Sequence, residues 1–148
     1  MESFMSENYI ALSSDKKFRI AVKSVIDKAP LGLFVKGTLS SKNYIWNMDE
    51  DTGLILLEAS VSGQDPFSWT ATGTDNEVVM AFKTKGDRDQ LWSFPRTNGK
   101  GPIRLKYNDK YVVTAKKTGD EGDIKLELYN GGESQIWYIG DAETFEKD

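Results

Sequence analysis

Histidine and cysteine are both absent from this chain of 148 residues. Without imidazole or thiol groups it cannot build a Ser-His-Asp triad, a cysteine nucleophile or a zinc site of the usual ligands. Disulfide bonds are excluded for the same reason. The 23 Asp and Glu residues leave carboxylate pairs conceivable, but none lies in a recognisable catalytic motif. We therefore predict that the protein is not an enzyme and carries no cofactor and no metal.

Long apolar segments are also missing. The longest aliphatic run, LILL at 54–57, is far shorter than the roughly 20 residues that a membrane-spanning helix needs. The first ten residues, MESFMSENYI, lack the basic stretch and apolar core of a signal peptide. We expect no membrane span and a cytoplasmic location, and secretion without a signal is the other route that the sequence allows.

Basic surface is scarce as well. The formal net charge is −4, whereas binding to phosphate backbones needs a surplus of Lys and Arg. No Gly-rich phosphate loop precedes a helix, and NGKG at 98–101 is more simply read as a turn. We therefore do not expect nucleic acid as a partner.

Short apolar alternations make up most of what is present. They include FRIAV, LILLEA, EVVMAF, YVVTA and IKLELY, and they are separated by Gly, Asn, Asp and Ser. DTG, TNGKG and NGG supply residues that tolerate the positive φ of tight turns. No segment shows a helical stripe with caps, although a short helical turn near ESQIW is compatible with the pattern. The sequence predicts an all-β fold, and its length suits one domain.

A repeated signature stands out among these strands. The stretches NYIWNM, DQLWSF and SQIWYI align on Trp46, Trp92 and Trp137, which are 46 and 45 residues apart. Upstream of each Trp lies a second matching strand, in turn FRIAV, FSWTA and YVVTA. A near-constant period of this size indicates an internal threefold repeat whose units share one core.

This pattern resembles the ricin-B-like β-trefoil family, which is marked by three Gln-x-Trp motifs. Gln90 with Trp92 and Gln135 with Trp137 match the motif, whereas Tyr44 takes the place of the first Gln. The resemblance implies a single β-trefoil domain over residues 1–148, with repeats at approximately 8–52, 53–98 and 99–142. It also implies that the Trp side chains fill the core and that the Gln side chains bond neighbouring backbone. By period-two alternation we expect each Gln to share a strand face with its Trp.

The resemblance further implies a carbohydrate site built from three parts in each repeat. A first-strand Asp accepts bonds from sugar hydroxyls, an upstream aromatic stacks on the sugar, and an Asn before the Gln completes the grip. The second repeat fits best, with Phe82 at the stacking position and Asp89 before the Gln. The first-strand Asp is absent from every repeat, so Asp65 and the pair Asp75 and Asn76 are candidates to replace it through a different geometry.

The other repeats retain fewer parts. In the first, Asn43 keeps the Asn position but Lys36 falls at the stacking position. In the third, Glu127 falls at the stacking position, and the candidates for sugar contact are Tyr129 and Asn130. We therefore expect sites that are degenerate relative to the family.

The acidic stretch NMDEDTGLILLE at 47–58 partly matches a helix-loop-helix calcium loop. The required Gly is one place late, at Gly53 rather than at position 52, and both flanks alternate as strands do. We interpret this stretch as a solvated hairpin turn.

Two functions follow from the resemblance. The first is a cytoplasmic, non-enzymatic lectin of the defence type, whose partners are glycans or glycoproteins of the galactose or N-acetylgalactosamine type. The second is a trefoil that binds a protein such as a protease through a surface loop. The loops available for that role are residues 23–32, 62–67 and 96–102.

Overall fold

The computed structural model describes residues 5–59, 63–116 and 122–142, which consist of strands joined by turns and loops. The predicted all-β class is confirmed. The strands are β1 (Met5–Leu12), β2 (Asp15–Val22), β3 (Ala29–Val35), β4 (Trp46–Asp49), β5 (Ile55–Leu57), β6 (Phe67–Ala71), β7 (Val78–Phe82), β8 (Trp92–Ser93), β9 (Lys100–Gly101), β10 (Arg104–Leu105), β11 (Asn108–Ala115), β12 (Gly122–Leu128) and β13 (Trp137–Asp141). Within these ranges no helix is long and apolar enough to cross a membrane.

One group of strands forms antiparallel hairpins that contact one another. These hairpins are β2–β3, β6–β7 and β11–β12. Strand β3 also pairs with β7 and with β12, and a bridge between Glu77 and Lys125 links the β6–β7 hairpin to β12. Each hairpin therefore meets the other two, which closes a triangular layer.

The remaining strands form a barrel. Strand β1 pairs with β13 and β4, β4 pairs with β5, β8 pairs with β10, and β9 pairs with β13. The Trp92 amide donates to the Gly53 carbonyl at 2.8 Å and so connects β8 to the segment before β5. Strand pairing thus continues from β9 through β13, β1 and β4 to β5, and the bond to Gly53 joins β8 and β10 to this series.

The core contains Trp46, Trp69, Trp92 and Trp137, all of them fully buried. The Trp69 ring meets the Trp46 ring edge-on at 5.5 Å between centroids and the Trp92 ring at 6.2 Å. Buried aliphatic side chains from both the barrel and the hairpins surround these rings. Rings of this size bury large apolar areas, and their edge-to-face packing adds a further favourable term.

The acidic segment after Trp46 forms the predicted hairpin. Strands β4 and β5 pair antiparallel, and the Asp49 carboxylate accepts hydrogen bonds from the Asp51 and Thr52 amides at 3.0 and 3.4 Å. Gly53 has a φ of 90°, and a Cβ there would meet the Trp92 carbonyl oxygen at 2.7 Å. In the part of the chain that the structure describes, no group of three or more carboxylates is placed to hold a metal ion.

The motif glutamines lie in a different local structure from the one that the alternation predicted. Gln90 and Gln135 end the 3-10 turns Arg88–Gln90 and Glu133–Gln135, and the strands begin only at Trp92 and Trp137. The prediction that each Gln shares a strand face with its Trp was therefore wrong, although both side chains are buried. A two-residue alternation says nothing about whether the first residue already belongs to a strand.

Candidate functional site

The tryptophans of the repeated signature all make the same contact. The indole Nε1 of Trp46 donates to the Ile20 carbonyl, that of Trp92 to the Trp69 carbonyl, and that of Trp137 to the Val113 carbonyl. The donor–acceptor distances are 3.1, 3.1 and 2.9 Å. A buried indole needs such a partner, because leaving its N–H without one would cost free energy. The tryptophans therefore belong to the scaffold.

The motif glutamines belong to the scaffold in the same way. Gln90 Nε2 donates to Thr70 Oγ1 at 3.1 Å and to the Phe82 carbonyl at 2.9 Å, and Oε1 accepts from the Thr84 amide at 2.9 Å. Gln135 repeats this pattern in its own segment, where its partners are Thr114, Leu128 and Asn130. Both hydrogens and the oxygen of each buried amide are bonded within the chain, which gives these glutamines a structural role.

A surface cleft forms where the loop after β6 meets the β10–β11 turn; we call it the Tyr107 cleft. It encloses about 300 Å³. Its lining residues are Ala71, Thr72, Gly73, Thr74, Asp89, Leu105, Tyr107, Asn108, Tyr111 and Leu126. A carboxylate, hydroxyls, an amide and aromatic rings thus converge on one concave surface, which is the usual chemistry of a small-ligand site.

Tyr107 and Asp89 connect the two walls of this cleft. The Tyr107 hydroxyl donates to Asp89 Oδ1 at 2.8 Å, and the Arg88 guanidinium lies 4.7 Å from the centre of the Tyr107 ring. The hydrogen bond to Asp89 raises the pKa of Tyr107 above its ordinary value, because ionisation would remove the donated proton and break the bond; it would also place two negative charges together. The ring is 48% exposed, so it offers an aromatic surface to solvent.

Asp75 and Asn76 directly follow the loop that lines this cleft. Asp75 has a φ of 63°, and its amide donates to the Leu126 carbonyl at 2.7 Å. The Asn76 side chain donates to the Thr72 carbonyl at 3.1 Å, within the loop that lines the cleft. Neither residue lines the Tyr107 cleft itself, but each bonds to a residue that does, Leu126 or Thr72.

Phe82 lies apart from this cleft. Its ring stacks on Phe67 with centroids 4.8 Å apart, and it packs against the core. The strand register places Phe82 opposite Phe67, just as Val35 lies opposite Phe18 and Leu128 opposite Tyr111. Lys36 and Glu127, which the motif spacing matched to Phe82, therefore each lie one residue away from the equivalent position.

The Asn43 side chain is hydrogen-bonded to main-chain carbonyl groups. Its Nδ2 donates to the Val22 carbonyl at 2.8 Å and lies 3.3 Å from the Lys23 carbonyl. These contacts fix the end of β2 to the 3-10 turn Ser41–Asn43. Both amide hydrogens thus have a partner within the chain.

Tyr129 and Asn130 lie on a separate surface from Asp89. Tyr129 is 42% exposed, and the Arg104 guanidinium lies 4.6 Å from its ring centre. Asn130 Oδ1 accepts from the Gly132 amide at 2.7 Å, which closes the turn before the last 3-10 segment. Neither residue lines the Tyr107 cleft.

Sequence reasoning missed Tyr107, Tyr111 and Asn108. All of them come from the β10–β11 segment, whereas the residues that it selected in the second repeat belong to the β6–β7 region and the following turn. The family pattern places sugar contacts within one repeat, so residues from the next repeat fall outside it. The signal that was available is the polar, aromatic stretch KYNDKY at 106–111, which follows β10 and runs into the first half of β11.

Solved structures share this arrangement of barrel and hairpins. The earthworm R-type lectin C-half in complex with GalNAc superposes with a TM-score of 0.72 at 14% identity, over 91% of this chain and 98% of that one. The designed 3-fold symmetric protein ThreeFoil gives a TM-score of 0.72 at 18% identity, with the same coverage of both chains. The chain shares its fold with the ricin-B-like β-trefoils.

The chain also superposes on part of a larger protein. A mosquitocidal holotoxin superposes with a TM-score of 0.76 at 16% identity over 96% of this chain. The chain spans only 18% of the length of that toxin. No protein-family model and no curated protein sequence matches the chain. The resemblance predicted from the Trp-centred motifs is therefore confirmed for the fold.

Proposed function

We propose that the protein is a carbohydrate-binding lectin without enzymatic activity, and that it binds a neutral glycan in the Tyr107 cleft. The observation that carries this proposal is the exposed Tyr107 ring, joined to Asp89 by a 2.8 Å hydrogen bond. An aromatic face suits the apolar C–H face of a pyranose, and a carboxylate accepts bonds from its hydroxyls. Asp89 Oδ1 is oriented by Tyr107, so the carboxylate is held in place before a ligand arrives.

The surrounding polar groups support the same assignment. Asn108 and Thr74 line the cleft, and neither makes a side-chain hydrogen bond among the residues that the structure describes. An amide and a hydroxyl can both donate and accept, which is what recognition of sugar hydroxyls requires. The solved trefoil neighbour with GalNAc makes a galactose or N-acetylgalactosamine type of sugar the first candidate.

The proposal includes the domain and its setting. We propose a single domain over residues 1–148 with repeats at approximately 8–52, 53–98 and 99–142. The recurring Trp-to-carbonyl bonds support these units. A cytoplasmic lectin of the defence type fits the composition.

A glycan array tests the proposal, read with the native protein and with Asp89→Asn/Tyr107→Ala. We expect binding to neutral galactosides that the double variant loses by at least tenfold. Asp123→Asn serves as the control, because it removes an exposed carboxylate on β12, away from the cleft. Binding to no glycan at high protein concentration would refute the lectin function, and unchanged binding by the double variant would refute the cleft.

The protease-binding alternative has one observation in its favour. Ile26, in the turn between β2 and β3, is 60% exposed and belongs to the predicted loop 23–32. The loop 62–67 begins at a residue outside the described ranges, and the loop 96–102 presents Arg96 to solvent. A protease-inhibition panel with native protein and Ile26→Ser tests this alternative for the loop 23–32, since an inhibitor that acts through that loop should lose its activity in the variant.

A further inference from the structure

A second concave surface lies apart from the Tyr107 cleft; we call it the Arg104 groove. It consists of two adjoining hollows, each of about 520 Å³, which share Arg104 and Asp109. One hollow adds Arg96 and Lys106, and the other adds Leu128 and Tyr129. None of the residues that line the groove also lines the Tyr107 cleft. The two surfaces can therefore bind ligands independently.

Arg104 is held in a fixed position within this groove. One guanidinium nitrogen donates to the Asp109 carbonyl at 2.8 Å, and the guanidinium lies 4.6 Å from the centre of the Tyr129 ring. A guanidinium has five N–H donors, so the single bond to Asp109 leaves most of the fork unused. A fork that is already ordered loses less entropy when it binds a carboxylate bidentately.

Within the described ranges, Arg104 and Lys106 have no acidic partner, although Glu50 and Asp109 also line the groove. Among the described residues, no carboxylate lies within 4.0 Å of a nitrogen of Arg104 or Lys106. Arg96 does pair with Glu50, at 3.7 Å, and Lys106 lies 3.5 Å from the Thr52 carbonyl. Two cations without acidic partners therefore face one hollow of a chain whose formal charge is −4.

An apolar surface adjoins these cations. Leu128 is 57% exposed and Tyr129 is 42% exposed, which is unusual for large apolar side chains. Both line the second hollow, and Arg104 lines this hollow as well as the first one. A ligand that carries a negative group beside a flat apolar face would satisfy the cations and cover the exposed side chains together.

We propose that the Arg104 groove binds a carboxylate-bearing sugar residue of an acidic saccharide. The carboxylate lies against the Arg104 fork and near Lys106, and the sugar ring covers Tyr129 and Leu128. This inference rests on the proposed function for the ligand being a saccharide. The site itself is independent of the Tyr107 cleft. Tyr129 would then contact an acidic sugar, whereas the Tyr107 cleft would bind a neutral glycan.

A matched pair of small ligands tests this proposal by ¹⁵N–¹H NMR titration of the full chain at constant ionic strength. Methyl β-D-glucuronide carries the carboxylate, and methyl β-D-glucoside replaces it with a hydroxymethyl group. We expect the glucuronide to shift the amides of the groove residues and the glucoside to leave them unchanged; these residues are Arg104, Lys106, Asp109, Lys110, Leu128 and Tyr129. Arg104→Gln should weaken glucuronide binding about tenfold or more, because a charge-assisted bidentate bond is lost.

Lys106→Gln provides a second variant at an exposed position, which should not affect folding. It should weaken glucuronide binding by a smaller factor than Arg104→Gln does. Lys85→Gln is the matched control, since it removes an exposed lysine outside both hollows. Thermal unfolding of each variant checks that the fold is intact.

Three results would overturn the proposal. They are an equal response to the glucoside, unchanged glucuronide binding in Arg104→Gln, and inorganic sulfate binding as tightly as the glucuronide, which would show an anion site without sugar contact. The Asp89→Asn/Tyr107→Ala variant separates the two proposals. It should keep glucuronide binding while losing the neutral glycan, so either site can fail without the other.

Discussion

The segment around Trp46 differs from the segments around Trp92 and Trp137 in the side chains that pack beside the buried Trp ring. In the latter two, a buried Gln donates to a threonine on the preceding hairpin, Thr70 or Thr114. In the former, Tyr44 occupies the Gln position and Ala21 occupies the threonine position. Tyr44 and Ala21 lie together in an apolar cluster. Both partners of the hydrogen bond have thus been replaced together, which avoids leaving one of them unsatisfied.

The substitution extends to the neighbours of Tyr44. Arg19 is buried in this cluster, with its guanidinium 4.0 Å from the Tyr9 ring centre and 5.8 Å from that of Tyr44. Burial lowers the pKa of Arg19, and stacking on aromatic faces is a favourable setting for a guanidinium. Gly140 makes room for Tyr9, since any Cβ there would collide with its ring. The motif glutamine is therefore a structural device, for which an aromatic cluster can substitute.

The largest loss of stability is expected from removing the buried Trp ring, in the Trp46 segment and in the Trp92 segment alike. Trp46→Ala and Trp92→Ala should each lower the free energy of unfolding by about 3–5 kcal/mol, because each removes a fully buried ring. Urea denaturation followed by far-UV circular dichroism measures the change. A cost below about 1 kcal/mol for Trp46→Ala alone would show that the aromatic cluster, rather than the shared Trp contact, supports that segment.

Removal of the motif glutamine should lower stability in a segment such as the one around Trp92. The segment around Trp46 has no glutamine to remove. Gln90→Leu removes the acceptor of the Thr84 amide and one of the two donors to the Phe82 carbonyl, which should cost about 1–3 kcal/mol. A double-mutant cycle with Thr70→Val isolates the Gln–Thr bond. A coupling free energy near zero would contradict the role assigned to this pair.

The reverse exchange should work only when both positions change. Tyr44→Gln alone should destabilise the protein, because Ala21 offers no hydroxyl to the new amide. Adding Ala21→Thr should recover about 1 kcal/mol, the net worth of one hydrogen bond. Chemical denaturation of the single and double variants provides the comparison. If the double variant were no more stable than Tyr44→Gln, the two segments would not be interchangeable.

The smallest effect on stability is expected at the cleft. Asp89→Asn should change the free energy of unfolding by at most about 0.5 kcal/mol near neutral pH, since the contact is at the surface. The variant should lower the pKa of Tyr107 towards its ordinary value of about 10, because the hydrogen bond to a carboxylate is lost. NMR titration of the tyrosine ring carbons in the native protein and in the variant measures this pKa.

The sign of the accompanying pH dependence follows from the raised pKa. The folded state holds the Tyr107 proton more tightly than the unfolded state does. The contact with Asp89 therefore stabilises the fold fully below the unfolded pKa, and this contribution is lost as the pH rises through the folded pKa. In Asp89→Asn the loss should vanish, and an unchanged alkaline dependence would contradict the Tyr107–Asp89 bond.

The sequence was informative about the core and less so about the site. Trp46, Trp92 and Trp137 could be recognised because a large ring rarely recurs at a constant period by chance, and the structure buries them all. Asp89 was selected from its place before the Gln, and it does line a cleft. Tyr107 could not be found in this way, because its contact with Asp89 depends on how two loops pack. Phe82 was selected for a sugar but stacks on Phe67, a contact that depends on strand register.

Whether the Tyr107 cleft is the sugar site can be decided by an NMR chemical-shift map of the full chain with the strongest neutral galactoside from the glycan array. We predict shifts centred on Thr72–Thr74, Asp89, Tyr107 and Asn108, with the Trp92 and Gln90 side-chain signals unchanged. Shifts centred instead on Asn43, on Phe82 or on the turn that carries Ile26 would contradict a sugar site in this cleft.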